Sequence, residues 1–418
     1  MYSRLLFPYQ MRIRLCKRMI YLKTHDQYFS LNKILLLAIG LWPYQQSNFT
    51  RLQFIFLSTI LTSNFIFQCT PIISQKCTLN FIAKVLSSAS FFALFIVKYN
   101  MFCINMQANC SKKQVKDLLK QLQLICNELK DNNEFAIINE YGCSAKRVTA
   151  VLMICGICSV FVITAAQFSS KIFDFILPIN VSQIHRIPIT VEYFVDQEKY
   201  SYWILLHINV AFCVGATAMV GIGTTLIAYL QYTCGMFKIS SYRIKRAVHV
   251  NMLKNIKLKK NLILNGIISA VNIHRQAMRL SGLLVSKIQT MLFCLIIIGV
   301  VCLSLNLFQI FQIASSGNDV KEFIFPVLFV TISVLYMFLA NYVAQVIMDH
   351  NNDIFATVYD VKWHAAPLHI QKLLLFLLQR GAKDFTLSVG GLFVGSLECF
   401  ATLVKASTKN MLQRHTIE

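Results

Sequence analysis

Residues Ile288–Asn318 read IQTMLFCLIIIGVVCLSLNLFQIFQIASSGN, 31 residues without Asp, Glu, Lys or Arg. About 20 apolar residues in a helix cross the hydrocarbon of a bilayer, so this stretch predicts a membrane span. Four more uncharged stretches are long enough to cross: Leu52–Gln75 (24 residues), Val148–Ser170 (23), Tyr200–Phe237 (38) and Phe323–Met348 (26). Two weaker ones complete the set. Phe81–Met106 carries Lys84 and Lys98, and Phe385–Val404 carries Glu398. The expected fold class is therefore all-α, a polytopic membrane protein with seven transmembrane helices. Composition agrees: 56% of the 418 residues are apolar, 14% are charged, and mean hydropathy is +0.56. A soluble domain carries about 25% charged residues. A soluble enzyme, a disordered chain and a fibrous repeat are excluded on that ground.

The basic residues show which way the spans run. With the N-terminus inside, segments 1–51, 107–147, 232–288 and 349–383 face the cytoplasm and hold 30 Lys and Arg. The opposite segments, 70–81, 169–202, 315–322 and 405–418, hold 8. Positively charged loops stay cytoplasmic, so the expected topology is inverted, with a cytoplasmic N-terminus and an extracellular C-terminus. The net charge of +22 then belongs to loops beside anionic lipid. No folded basic domain points to nucleic acid.

This divides the chain into four parts. Residues 1–51 are a cytoplasmic N-terminal segment, whose short apolar run Ile34–Trp42 is expected to lie in or dip into the inner interface. Residues 1–30 have no apolar core of the signal-peptide kind. Residues 52–348 hold six spans and long cytoplasmic loops, 349–383 are a further cytoplasmic segment, and 384–418 hold the seventh helix. Val115–Lys130 places Val115, Leu118, Leu119, Leu122 and Ile125 at helical spacing. The 232–288 loop alternates basic clusters with Ile263, Ile267, Ile268 and Val271, so helices four to six are expected to run past the inner membrane face and pack there. Of the three N-x-[ST] sequons, at Asn48, Asn109 and Asn180, only Asn180 falls in an external loop; it is the expected glycosylation acceptor.

Catalytic motifs do not occur. There is no GxxxxGK[ST], HExxH or strand-flanked GxGxxG, and the chain does not read as an enzyme. The 14 cysteines lie in apolar runs or basic loops and fit neither a disulfide framework nor a metal site, although Cys69 and Cys77 flank one external loop. His350, His364 and His369 have no zinc-like spacing, so no metal or cofactor is expected. His207 lies one turn into the fourth span. It either lines a ligand cavity or hydrogen-bonds a neighbouring helix. Lys84 and Lys98 sit toward the two ends of the second span and are expected to snorkel to the interfaces.

The segment from Asp349 to Phe400 is the most specific. It contains Tyr359, Trp363-His364, Pro367, Gln371-Lys372, Arg380, Gly390-Gly391 and Ser396-Leu397-Glu398-Cys399-Phe400. It resembles the last third of the insect odorant receptors, where a Tyr, a Trp-Tyr, a Pro, a Gln-Lys, an Arg and a Ser-Leu-Glu-x-Phe recur in this order. Trp363-His364 departs slightly from the family's Trp-Tyr. Leu35–Tyr44 is similar to the N-terminal segment of the ant, bee and wasp branch.

The resemblance implies a tuning subunit of a tetrameric, ligand-gated, non-selective cation channel that assembles with the shared odorant co-receptor. It implies a location in the plasma membrane of the sensory-neuron dendrite. A small volatile odorant would bind among helices two to six, with Phe91, Phe92, Phe95, Phe161, His207, Phe212 and Tyr336 as candidates. Tyr359, Trp363, Pro367, Gln371, Lys372 and Arg380 would belong to a subunit anchor. Ser396, Glu398 and Phe400 would lie on the pore helix. The tail departs from the family. Lys409-Asn410-Met411 stands where the family has Ser-Tyr-Phe, and Arg414 falls about where an apolar gate belongs. The expected consequences are a shortened pore helix and repulsion of cations. A gustatory receptor of the same superfamily is the nearest alternative, but its Thr-Tyr hallmark in the last helix is missing. A G-protein-coupled receptor would have its N-terminus outside, and a secondary transporter would show inverted repeats or paired broken helices.

Overall fold

The computed structural model describes residues 29–45, 47–74, 78–107, 129, 131–176, 190–196, 199–248, 256–316, 320–361, 363–381 and 385–415. The sequon at Asn180, the amphipathic stretch from 115 to 128 and Cys77 lie outside these; Cys69 is a free thiol.

A short helix, α1 (Ser30–Ala38), precedes six long ones: α2 (Asn48–Cys69), α3 (Leu79–Gln107), α4 (Asn132–Ile176), α5 (Ser201–Val248), α6 (Ile256–Ser316) and α7 (Val320–Asp360). All six are long and apolar enough to cross a membrane, so this is a multi-pass membrane protein. That includes α3, despite its two lysines. Beyond α7 come a 3-10 turn, α8 (Leu368–Gly381), a two-stranded hairpin (β1, Ser388–Val389; β2, Phe393–Val394) and a shorter seventh helix, α9 (Leu397–His415).

The 48 residues of α5 and 61 of α6 give lengths of about 72 and 92 Å at 1.5 Å per residue. The hydrocarbon is only about 30 Å thick, so both helices extend well past it. Their extensions pack with α4, α7 and α8 around Phe237, Ile244, Ile267, Ile354, Val358 and Ile370. Small residues let the backbones approach there: a Cβ on Gly266 would lie 2.7 Å from that of Ala247. Polar ties fix the register. Arg243 donates from Nε and Nη2 to the two carboxylate oxygens of Glu134 at 2.7 and 2.9 Å, and from Nη1 to Ser269 Oγ at 2.8 Å. Nearby, burial pushes the Asp131 carboxyl up, but hydrogen bonds from Tyr242 and two backbone N–H groups, with the Arg246 charge, hold it below its ordinary value.

The apolar run at 34–42 forms the end of α1 and the turn after it, packed on the protein. Its Leu36, Ile39 and Leu41 are buried in the protein, and Asn32 donates to Thr224 Oγ1 on α5 at 2.9 Å. Ser47 then opens α2 with a reciprocal capping box to Thr50.

Phe385–Val404 is not one continuous helix. Gly390 and Gly391 take φ of +62° and +71°, a left-handed pair that glycine adopts without cost, and they turn the hairpin. The helix starts only at Leu397. It does not shorten at the divergent tail, because Lys, Met, Leu, Gln and Arg are all good helix formers and helix persists to His415.

Candidate functional site

A cavity of about 280 Å3 lies among α3, α4, α5, α6 and α7, and reaches the hairpin and α9. That is near the lower bound of about 300 Å3 for small-molecule sites. Its walls are almost wholly apolar. Phe91 stacks on Phe329 with centroids 4.3 Å apart and meets Phe95 edge-on at 4.9 Å. Gly215 permits this arrangement, since any Cβ there would overlap the Phe95 ring. Polar groups are few: Thr224, Ser333, Tyr336 and Asn341 are among them.

Of the seven residues proposed from sequence, Phe91, Phe95, Phe212 and Tyr336 line the cavity. Phe92 is fully buried behind them and packs edge-on against Phe212 at 4.6 Å. His207 resolves toward its second reading. Its Nδ1 meets Tyr193 Oη at 2.7 Å and its Nε2 meets Ser63 Oγ at 3.1 Å, tying α5 to α2 and to the strap before α5. Phe161 points away from the cavity and is 72% exposed. The face of α4 that meets α5 carries buried Ile163 and half-buried Thr164, whose hydroxyl donates to Asn209 Oδ1 at 2.8 Å. Phe161, two positions before Ile163, is turned about 200° from it.

Lys84 pairs with Glu322 at 3.2 Å in a half-exposed setting, so its side chain is free of the core as snorkelling requires. The expected snorkelling fails for Lys98, which is fully buried. The ammonium of Lys98 donates to Met219 O at 3.1 Å and to Tyr336 Oη at 2.8 Å, and sits 4.2 Å from the Tyr336 ring centroid. Met219, Gly223 and Tyr336, which surround it, line the cavity. In the sequence Lys98 stands alone, with 13 uncharged residues on each side between it and Lys84 or Lys112; its partners come from α5 and α7.

The cavity also touches Gly395, Cys399 and Leu403, so the start of α9 forms part of its wall. Ser396 caps α9: its Oγ accepts from Cys399 N–H at 3.1 Å. Phe400 meets Phe338 of α7 edge-on at 5.5 Å, and Glu398 is exposed on the opposite side. In the segment after α7, Gln371 donates to His364 O at 2.9 Å and to Ala366 O at 2.8 Å, which closes the turn through Trp363 and Pro367. Trp363 packs on the α5–α8 core, whereas Tyr359 and Lys372 face outward. Arg380 lies within α8, and its side chain is outside the described residues.

The fold is shared with solved structures of the olfactory receptor OR5 from Machilis hrabei. One was solved alone and one in complex with eugenol. Each has a TM-score of 0.74 and 14% identity, over 95% of this chain and all of that one. No curated protein matches in sequence. The family model described as 7tm odorant receptor matches residues 78–408, from just before α3 to the point in α9 where the tail diverges. With nearly four-fifths of its length matched, the chain belongs to the 7tm odorant receptor family.

Proposed function

We propose that this odorant receptor is a subunit of a ligand-gated, non-selective cation channel. A small volatile odorant binds in the cavity among α3 to α7. The subunit assembles with the shared odorant co-receptor in a tetramer, in the plasma membrane of the sensory-neuron dendrite, with its N-terminus inside. The observation that carries this reading is the cavity wall itself. Gly395, Cys399 and Leu403 of the last helix share it with Phe91, Phe212 and Tyr336. A ligand that fits one position of α9 better than another shifts the equilibrium between them by that difference in affinity. The binding of eugenol by the similar Machilis hrabei receptor supports a ligand of this kind.

The outer face of α8 supports assembly. Leu368 and Phe376 of α8 are 67% and 71% exposed, as is Tyr359 at the end of α7 (72%), while Ile370 and Leu374 of α8 are buried in the subunit. An apolar face of this kind, rimmed by Lys372, suits a subunit contact. Nothing in the cavity resembles a catalytic constellation; its polar groups position a ligand.

The test is co-expression with the co-receptor and recording of odour-evoked current. A cation current evoked by some members of a volatile panel is expected. Silence across a wide panel, with surface delivery confirmed by labelling, overturns the channel reading.

A further inference from the structure

Lys98 is fully buried against the cavity, and among the described residues no carboxylate pairs with it. Two of its three N–H donors are taken by neutral acceptors, Met219 O and Tyr336 Oη. A buried ammonium without a counter-charge is costly, and dipoles alone offset little of that cost. The surroundings are otherwise apolar, with Phe91, Phe95 and Leu292 on the walls. Gly223 brings bare backbone beside the nitrogen: a Cβ there would lie 3.3 Å from Nζ. Lys98 is not itself on the cavity wall; its ammonium stands directly behind Met219, Gly223 and Tyr336, which are, so a cation lies one side chain away from an apolar cavity.

We propose that Lys98 and Tyr336 form an anion-recognition pair, and that the cavity selects small apolar carboxylic acids over alcohols and esters of the same chain length. The assignment rests on the proposed ligand cavity and names its ligand class. The carboxylate supplies the charge that the protein leaves out. The Tyr336 side chain, which lines the cavity and holds Nζ, turns aside; one carboxylate oxygen takes its place on Nζ, and the other accepts from the Tyr336 hydroxyl, which changes from accepting to donating. The pair forms by either of two balanced routes. A carboxylate meets the ammonium, or a neutral acid gives its proton to the neutral amine, RCOOH + R′NH2 → RCOO⁻ + R′NH3⁺. The contents of the filled site carry no net charge in both cases. An alcohol or ester offers only a dipole, so it leaves the ammonium as poorly compensated as in the empty site.

The competing account makes Lys98 a strut that ties α3 to α5 and α7, with no part in recognition. Two readouts on the full-length receptor separate them, using octanoic acid, 1-octanol and methyl octanoate as probes. The first is the thermal midpoint of purified receptor in detergent, which needs no channel activity. Octanoic acid is expected to raise the midpoint of the wild type more than either neutral probe does, and to lose that excess in Lys98→Met. The second is evoked current after co-expression with the co-receptor. There Lys98→Met is expected to raise the half-maximal concentration of octanoic acid at least about thirty-fold, the loss that follows truncation of one partner of a buried charge pair, while responses to 1-octanol change little. Tyr336→Phe is expected to weaken the acid response in the same direction by less. Acid stabilisation of the wild type without any current leaves the recognition pair standing and sinks the channel reading. No excess stabilisation by acid in the wild type overturns the pair. Equal stabilisation of wild type and Lys98→Met does so too. If Lys98→Met does not fold, Lys98→Arg decides: a retained acid preference supports recognition by charge, and its loss with neutral binding intact overturns it.

Discussion

The backbone N–H of Ser396 donates to Asn341 Oδ1 at 3.2 Å, so the last helix hangs from the side of α7. The Asn341 amide is itself fixed, since Nδ2 donates to Met337 O one turn back at 2.9 Å. Asn341 lines the cavity, and Gly395 beside Ser396 lies so near α7 that a Cβ on it would stand 2.6 Å from Ala344 Cβ. A side chain that touches the ligand space thus holds the cap residue of the proposed pore helix.

Asn341→Leu keeps the volume and removes the acceptor. It leaves the Ser396 N–H without its partner, at a cost of about 1–3 kcal/mol. The expected outcome is a change in basal current and in the steepness of evoked current that is much larger than any loss of ligand-induced thermal stabilisation. Parallel loss of both readouts would show that Asn341 serves binding and not coupling.

Gly215→Ala should disturb the cavity from behind. The new methyl would overlap the Phe95 ring and drive it toward the ligand space. Overpacking of this kind costs about 1–3 kcal/mol. The thermal midpoint of the detergent-purified receptor should fall, and Phe95→Leu added to Gly215→Ala should restore most of it. Failure of that rescue would mean that α5 shifts instead of the ring.

Much of this was legible in the sequence, and the reason is physical. Span length and charge bias report on the bilayer, which acts on every residue in the same way, so six long helices could be read from hydropathy. The motif at Ser396–Phe400 marked the last helix. Facing was not legible. Phe91 and Phe161 are the same residue type in two spans of similar hydropathy, yet one lines the cavity and the other is 72% exposed. In lipid, an outward Phe and an inward Phe have equally apolar surroundings, so periodicity loses the contrast that it has in water. The direction of Lys98 is hidden in the sequence for a related reason. Its distance from the span centre allowed snorkelling, and only the tertiary arrangement of Met219 and Tyr336 shows that it turns inward.

Glu134 and Arg243 join α4 to α5 through two hydrogen bonds, with side-chain exposures of 7% and 19%. Removing one partner strands the other charge in a nearly dry site, which costs about 3–5 kcal/mol. Glu134→Leu should therefore lower the thermal midpoint sharply. Glu134→Leu with Arg243→Leu should recover a large part of the loss, because no unpaired charge remains. Equal damage in the single and double variants would show that the contacts of Ser269 to Arg243, and not the ion pair, hold this junction.

The face of α9 that turns away from the subunit carries Thr402, Lys405 and Lys409, while Leu403 and Ser407 are buried against α6 and α7. If α9 lines the proposed pore, the free face is the one that meets the ions. Two lysines four residues apart then present their ammonium groups one turn apart on the conduction path. A ring of positive charge raises the barrier for cations by repulsion that narrow, poorly hydrated surroundings strengthen. Lys405→Ala with Lys409→Ala should increase unitary cation conductance several-fold and leave the half-maximal ligand concentration unchanged, because neither residue borders the cavity. Single-channel recording with the co-receptor checks it. An unchanged conductance would place this face against lipid or a neighbouring subunit, since lysines that line a water-filled path cannot leave its field untouched.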